Sequence, residues 1–339
     1  MNALYAFITV VILYLVVYLG VGRMGLETFF GVVIPYAAIV LFLLGFVFRI
    51  FGWARSTVPF RIPTTSGQQK SLSFIKNNNL ESPHNTVGVI GRMALEILFF
   101  RSLFRNTKAE VKDNERLVYG PDKWLWAGAL VFHWSFLVVF VRHYRFFAEP
   151  VPGFILGLQS LDGIFQIGVP VVYLTGAALL AGVTFLFLRR VVIPQVRYIS
   201  LPADYFPLFV IMMIAGSGLL MRHFYKVDIV NVKELAMGLV SFAPSVPEGL
   251  GFIFYVHLFF VSVLFAYFPF SKLMHLGGVF LSPTRNLANT NRVKRHINPW
   301  NYDVKTHTYE EYEDEFRDVM REAGLPLDKE ESVLPLEKE

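Results

Sequence analysis

No cysteine occurs among the 339 residues of the chain. That excludes disulfides, cysteine-ligated iron–sulfur clusters and thioether-linked haem on this polypeptide. A redox group carried here must be held by other side chains, and a cluster must belong to a partner. Charge is also sparse: Asp, Glu, Lys and Arg make up 17 % of the chain. None of them falls in six long apolar stretches, at about residues 3–22, 28–48, 124–141, 163–188, 205–221 and 249–271. Without a carboxylate inside these stretches, and without paired broken helices, a proton-coupled transporter is the weaker reading. No internal repeat and no lysine-bearing phosphate loop is evident.

What fills the chain instead is apolar. Hydrophobic residues make up 54 % and Phe alone numbers 34, a composition that predicts an integral membrane protein. Each of the six stretches approaches the roughly 20 residues needed to cross a bilayer. The fold class expected is all-α, a membrane bundle of about six transmembrane helices. The first stretch lacks a basic leader and a small-residue cleavage site, and a second span follows at once, so it reads as a retained helix. Lys and Arg number 25 in the segments 49–123, 189–203 and 271–339 against 6 in the alternate segments. The asymmetry predicts a multi-pass membrane protein with both termini cytoplasmic.

The expected organisation is two N-terminal spans (1–52), a cytoplasmic loop (53–121), a four-helix region (122–275, its last helix at 249–275) and a cytoplasmic tail (276–339). Within the loop, RIPTTSGQQKS reads as irregular chain and only weakly as an anion-binding nest. GVIGRMALEILFFRSLFRNT, residues 88–107, has helical apolar spacing interleaved with Arg92, Arg101 and Arg105. It fits a helix lying on the membrane surface, or equally one packed on the protein's own loops. Residues 285–296 are basic, as near anionic lipid. From Asp303 onward the sign reverses, with 13 of the chain's 26 acids. YEEYEDEFRDVMREAGL predicts an acidic helix ending at Gly324. Its apolar residues Tyr309, Tyr312, Phe316, Val319 and Met320 favour docking on a partner.

Five of the eight histidines lie in or beside spans, where an ionisable side chain is costly. His84, His296 and His307 fall in polar segments and read as surface residues. His133 and His143 share the third span; His257 and His275 share the sixth. On antiparallel helices the first histidine of one must sit level with the last of the other. His133 therefore pairs with His275 towards the cytoplasm, and His143 with His257 towards the outside. Ten helical residues cover about 15 Å and eighteen about 27 Å, so tilt, together with irregular backbone after Pro269, must absorb about 12 Å. Two neutral imidazoles facing each other in an apolar setting suit the axial ligation of a low-spin haem b. The alternative is four separate histidines bonded to backbone, which would make the chain a haem-free membrane anchor. Zinc fits less well, because each pair lacks further ligands.

FHWSFLVVFVRH and VHLFFVSVLFAYFPFSKLMH resemble the gamma, cytochrome b subunit of respiratory nitrate reductase, in both histidine spacings. VIPYAAIVLFLLGFVFR resembles that subunit's first helix. The likeness extends over about residues 30–285 and implies a five-helix core plus an N-terminal helix. The first span, the long loop and NPWNYDVKTHTYEEYEDEFRDVM resemble instead the membrane cytochrome b subunit, of DsrM type, of the sulfite-reduction-associated DsrMKJOP transmembrane complex. That resemblance implies two b haems, with His143 and His257 on the outer and His133 and His275 on the inner. It implies electron exchange with menaquinone or menaquinol in sulfur-compound respiration. The implied partner is a cytoplasmic iron–sulfur subunit resembling heterodisulfide reductase, docking on 53–121 and 276–339, beside other membrane and periplasmic redox subunits. Lipid and quinone are expected contacts; nucleic acid is not.

His223, in GSGLLMRHFYK, has no counterpart in the nitrate-reductase pattern. With Arg142 it is a candidate quinone site, taking a proton as quinol is oxidised. Pairing of the nearby basic residues with haem propionates or lipid phosphate, and ligation of haem by His223, remain open alternatives.

Overall fold

The computed structural model describes residues 1–58, 67–112, 116–165, 170–294 and 305–329. It forms two compact units, Met1–Lys294 and Arg295–Glu339. Most of RIPTTSGQQKS, and His296, lie outside the described residues. Six helices of the first unit are long and apolar enough to cross a membrane. Helices are what such sequence must form, because in lipid every backbone N–H and C=O has to be met within its own segment. They are α1 (Asn2–Gly20), α2 (Ile34–Ala54, entered through a π turn at Phe29–Val33), and, after the loop elements, α5 (Lys123–His143), α7 (Leu174–Val192), α9 (Pro202–His223) and α11 (Phe252–Tyr267). The loop before α5 holds α3 (Thr86–Phe99), α4 (Arg101–Phe104) and an antiparallel hairpin of β1 (Thr107–Lys112) and β2 (Arg116–Pro121). Short helices complete the unit: α6 (Gly153–Asp162), α8 (Pro194–Ile199), α10 (Ile229–Val240), α12 (His275–Gly278) and α13 (Pro283–Asn286).

Two differences from the expected spans have physical causes. The fourth starts at Leu174 rather than Gly163, since apolar content ignores the helix-breaking Pro170. Charge also enters the spanning helices at their ends. Asp204 sits in the first turn of α9, where its carboxylate caps the Leu201 N–H at 3.0 Å and meets Lys272 Nζ at 2.6 Å. At the α7 end Arg189 bonds Asp122 at 2.9 Å.

The helix expected at 88–107 exists as α3, but its faces are reversed relative to a soluble helix. Arg92 is buried and donates to the Thr284 carbonyl at 3.1 Å, while Val87 and Ile90 are exposed. Burial and the nearby Arg285 push the Arg92 guanidinium below its ordinary pKa. The helix thus packs its polar side on the chain's own 283–286 segment. Buried Glu81 receives both Arg101 and Arg105.

One apolar core joins α1, α2, α9, α10 and α11 around Val17, Phe30, Tyr255 and Phe260. A second, around Leu179, Val183 and Ile211, joins α7 and α9 with α5 packed against it. α5 packs chiefly on α7, and α11 on α2 and α9. After Tyr267 the sixth span breaks into 3₁₀ turns at Phe268–Phe270 and Lys272–Met274 on either side of Ser271, which is extended. Gly45 of α2 makes room for this corner, because a Cβ there would lie 2.7 Å from Pro269 Cβ. Gly45→Ala is therefore expected to destabilise the bundle by about 1–3 kcal/mol through overpacking. Tryptophan-monitored unfolding in detergent checks this, and an unchanged midpoint would show that the corner yields freely.

In the second unit α14 (Tyr309–Glu322) is the acidic helix, with Gly324 beyond it at a φ of +68°. Thr308 and Glu311 form a reciprocal N-terminal cap at 3.2 and 3.0 Å. Tyr309, Tyr312, Phe316 and Val319 are exposed, while Met320 is buried. Buried Glu313 accepts the N–H groups of Asp328 and Lys329 at 2.7 and 3.0 Å, which turns the following chain back along the helix. Hydrogen bonds to Glu310 and Asp314 raise the Lys329 pKa.

Candidate metal centre formed by two histidine pairs

α5 carries His133 and His143 on one unbroken helix. His257 lies on α11, and ten residues further the helix ends at Tyr267, so the two straight intervals match. The residues from Phe268 to Met274 then run through the 3₁₀ corner and deliver His275 at the start of α12. This is how the eighteen-residue interval on one helix meets the ten-residue interval on the other.

The rings are brought together as the antiparallel argument requires. His133 faces His275 with ring centres 6.0 Å apart and planes at 79°. His143 faces His257 at 6.2 Å with planes at 13°. The partners of their Nδ1 atoms are consistent across all four. His133 bonds the Ala129 carbonyl at 2.7 Å, His143 the Val139 carbonyl at 2.7 Å and His275 the Lys272 carbonyl at 2.8 Å. A carbonyl can only accept, so each Nδ1 carries the proton. His257 Nδ1 lies 3.0 Å from Ser217 Oγ, whose own proton goes to Met213 O at 2.6 Å. Ser217 therefore accepts as well. In all four rings Nε2 is left as the basic nitrogen, the arrangement a ligating histidine requires.

Spacing and donor count both fit haem iron. Two metal–imidazole bonds of about 2.0–2.1 Å, plus about 1.1 Å from each nitrogen to its ring centre, would separate facing centres by about 6.3 Å. Among the described residues no three His, Asp or Glu side chains converge on a point. Each pair would offer two donors, which suits a metal that brings its remaining ligands with it. At the His133–His275 pair, Phe100 packs edge-on against His133 with ring centres 5.0 Å apart. Phe100 holds the left-handed conformation at φ +51° where α3 turns into α4. Trp134 Nε1 and Trp126 Nε1 secure that corner by donating to the carbonyls of Leu98 and Phe99 at 3.0 and 2.8 Å.

Beside His143 lies a polar cluster. Arg142 pairs with Asp162, which is buried and also accepts the backbone N–H of Thr175 at 2.7 Å and its hydroxyl at 2.5 Å. Arg142 and Arg222 both stack on Tyr173, their guanidinium carbons 3.4 and 4.0 Å from the ring centre. Arg222 also donates to the Val171 carbonyl at 2.9 and 2.8 Å. Arg145 bonds Gln159 at 2.6 Å. Two buried nitrogens here have no hydrogen-bond partner, Arg142 Nε and His223 Nε2. No hydrogen bond or ring contact joins His223 to Arg142 among the described residues. His84, in the loop before α3, lies 3.5 Å from Asn77 Nδ2, and His307 lies 4.0 Å from Glu311.

Sequence reasoning did not find Ser217, Asp162, Thr175 or Tyr173. Ser217 had a visible signal, a serine between two glycines inside an apolar helix. Asp162 had one too, as the acid that closes α6.

Six membrane-length helices with four histidines opposed in two levelled pairs define a helical membrane subunit of cytochrome b-like type. The chain belongs to the nitrate reductase gamma subunit family, whose sequence model matches residues 94–296. Both histidine pairs fall inside that match; α1 and α2 precede it. A protein of Archaeoglobus fulgidus named Hdr-like menaquinol oxidoreductase cytochrome b-like subunit is 46 % identical over 278 residues, covering 80 % of this chain and 83 % of that protein. The protein of the same name in Archaeoglobus profundus is 42 % identical over 274 residues, covering 79 % and 81 %. The respiratory nitrate reductase 1 gamma chain of Escherichia coli K12 is 28 % identical over 163 residues, covering 44 % and 69 %.

Proposed function

We propose that the chain is a di-haem b membrane subunit. It transfers electrons between menaquinol or menaquinone and a cytoplasmic iron–sulfur partner of heterodisulfide-reductase type, in sulfur-compound respiration. The observation that carries this reading is the pairing of His133 with His275 and His143 with His257, at 6.0 and 6.2 Å with every Nδ1 engaged. Haem iron held by two imidazoles takes up and releases one electron without exchanging ligands. The chain's own residues do the rest. Carbonyls of Ala129, Val139 and Lys272 and the Ser217 hydroxyl hold each proton on Nδ1 and turn Nε2 inward. Phe100 and the α3–α4 corner pack against the His133 side of the inner pair.

The quinone site in this reading lies at the outer end of α5 and α9. His223 Nε2, buried and without a partner, is placed to accept a quinol proton. Arg142 is held by Asp162 and Tyr173 and offers its unpaired Nε as a donor to a quinone oxygen. The menaquinol in the names of the Archaeoglobus relatives supports the choice of quinone. Both termini face the cytoplasm, by the distribution of Lys and Arg. The loop 53–121 and the tail 276–339 then form the docking side for the iron–sulfur partner, the exposed aromatic residues of α14 among its contacts.

A reduced-minus-oxidised absorption spectrum of the purified chain, with haem quantified per polypeptide, tests the proposal. Two b-type haems per chain are expected. A colourless preparation made with ample haem supply would leave a membrane anchor.

A further inference from the structure

We propose that Ser217 is a positioning residue that sets the tautomer and plane of the His257 ring, and so distinguishes the outer histidine pair from the inner. The inference rests on the haem reading above. Three of the four histidines bond a backbone carbonyl three or four residues earlier in their own chain: Ala129, Val139 and Lys272. Those acceptors are fixed by helix geometry and no side-chain change removes them. His257 differs, because its Nδ1 lies 3.0 Å from a hydroxyl on another helix.

The local structure of α9 prepares this contact. Ser217 is buried at 4 % exposure, and its proton is committed to the Met213 carbonyl at 2.6 Å. The hydroxyl therefore presents a lone pair and leaves the proton on His257 Nδ1. The next residue, Gly218, allows α9 to come this close: a Cβ there would lie 3.3 Å from His257 Cε1. The carbonyl of Ile214 opens into the same turn, 3.1 Å from Ser217 Oγ. That carbonyl already acts on the His257 ring as a hydrogen-bond acceptor, and without the hydroxyl the ring would turn fully onto it. The ring is held 13° from parallel with His143, whereas the inner rings stand at 79°. A parallel pair of axial imidazoles gives low-spin ferric iron a rhombic paramagnetic signal, and a crossed pair gives a highly anisotropic one. A hydrogen bond from Nδ1–H also makes the imidazole a stronger donor to the metal. Its loss should raise the reduction potential of the outer haem alone.

The test uses the full-length chain in detergent and compares wild type with Ser217→Ala and Ser217→Thr. Redox titration followed by optical and paramagnetic resonance spectra is read for each haem. Ser217→Ala should raise the potential of one haem and shift the rhombic signal, leaving the anisotropic signal in place. Ser217→Thr, which keeps the hydroxyl, should restore both. Wild-type potentials and spectra in Ser217→Ala would overturn the proposal. Loss of the outer haem in both variants would overturn it as well, since packing and not the hydroxyl would then matter. Loss in the alanine variant alone supports it. The ring-nitrogen resonances of labelled His257 report the tautomer whether or not porphyrin is bound. A haem-free wild type would thus sink the functional reading, while those resonances still judge the serine: Nδ1–H in wild type and its change in Ser217→Ala support the positioning, and their identity refutes it.

Discussion

Replacing His257 by alanine is expected to remove one haem, retain the other and abolish quinol-driven reduction of the cytoplasmic partner. The retained haem is the one between His133 and His275. Their Nδ1 atoms rest on Ala129 and Lys272, and the 3₁₀ corner that delivers His275 is tied to α9 through Lys272 and Asp204. None of these contacts passes through the His257 ring. The outer pair has no substitute, because no further His or carboxylate converges on it among the described residues. Electrons from a quinone site beside His143 would then have no entry. Haem quantified per chain across alanine variants of the four histidines reads the pairing directly. His143→Ala should copy His257→Ala, and His133→Ala should copy His275→Ala. Two haems in the His257→Ala variant would break the assignment, and His84→Ala, in the loop before α3, should change neither haem.

Asp162→Ala should cost about 3–5 kcal/mol, the usual penalty for stranding one member of a buried ion pair. Asp162 neutralises Arg142 and accepts both the N–H and the hydroxyl of Thr175. Its loss leaves a guanidinium, already stacked on Tyr173 near a second arginine, without a counter-charge. Asp162→Asn separates the two contributions, because an amide oxygen can still accept from Thr175 but carries no charge. If charge dominates, both variants lose most of their folded protein, read as thermal midpoint and membrane-inserted yield. If asparagine behaves as wild type, hydrogen bonding to Thr175 is what matters. A wild-type midpoint in Asp162→Ala would show that Arg142 finds another partner or solvent.

Much of this arrangement was legible before any coordinates. Apolar length and sparse charge are properties of single segments, so the six helices followed from them, with errors where proline interrupts an apolar run, as before Leu174, and at helix ends that carry charge, as at Asp204. The level pairing of the rings followed from antiparallel direction alone, and the mismatch it created pointed to tilt together with irregular backbone after Pro269, of which the 3₁₀ corner is the second. The beginning of α3 and the end of α14 were also readable, from periodicity and from Gly324. What sequence could not reveal is contact between segments far apart in the chain. Ser217 touches His257 across 40 residues, Asp204 meets Lys272 across 68, and Arg92 reaches the carbonyl of Thr284 across 192. The direction in which α3 turns its apolar residues belongs to the same group, since an amphipathic pattern is the same whichever side faces the bundle.

The unbroken course of α5 between its two histidines has a consequence for how this protein can be altered. One residue added anywhere between His133 and His143 would swing one ring about 100° around the axis and off its counterpart. The straight part of α11, from His257 to Tyr267, is equally intolerant of slack. Between Phe268 and Met274, by contrast, the chain is already irregular, and length changes there meet no helical register. Insertions that survive with both centres intact should therefore gather in that seven-residue elbow and be missing from the two rods.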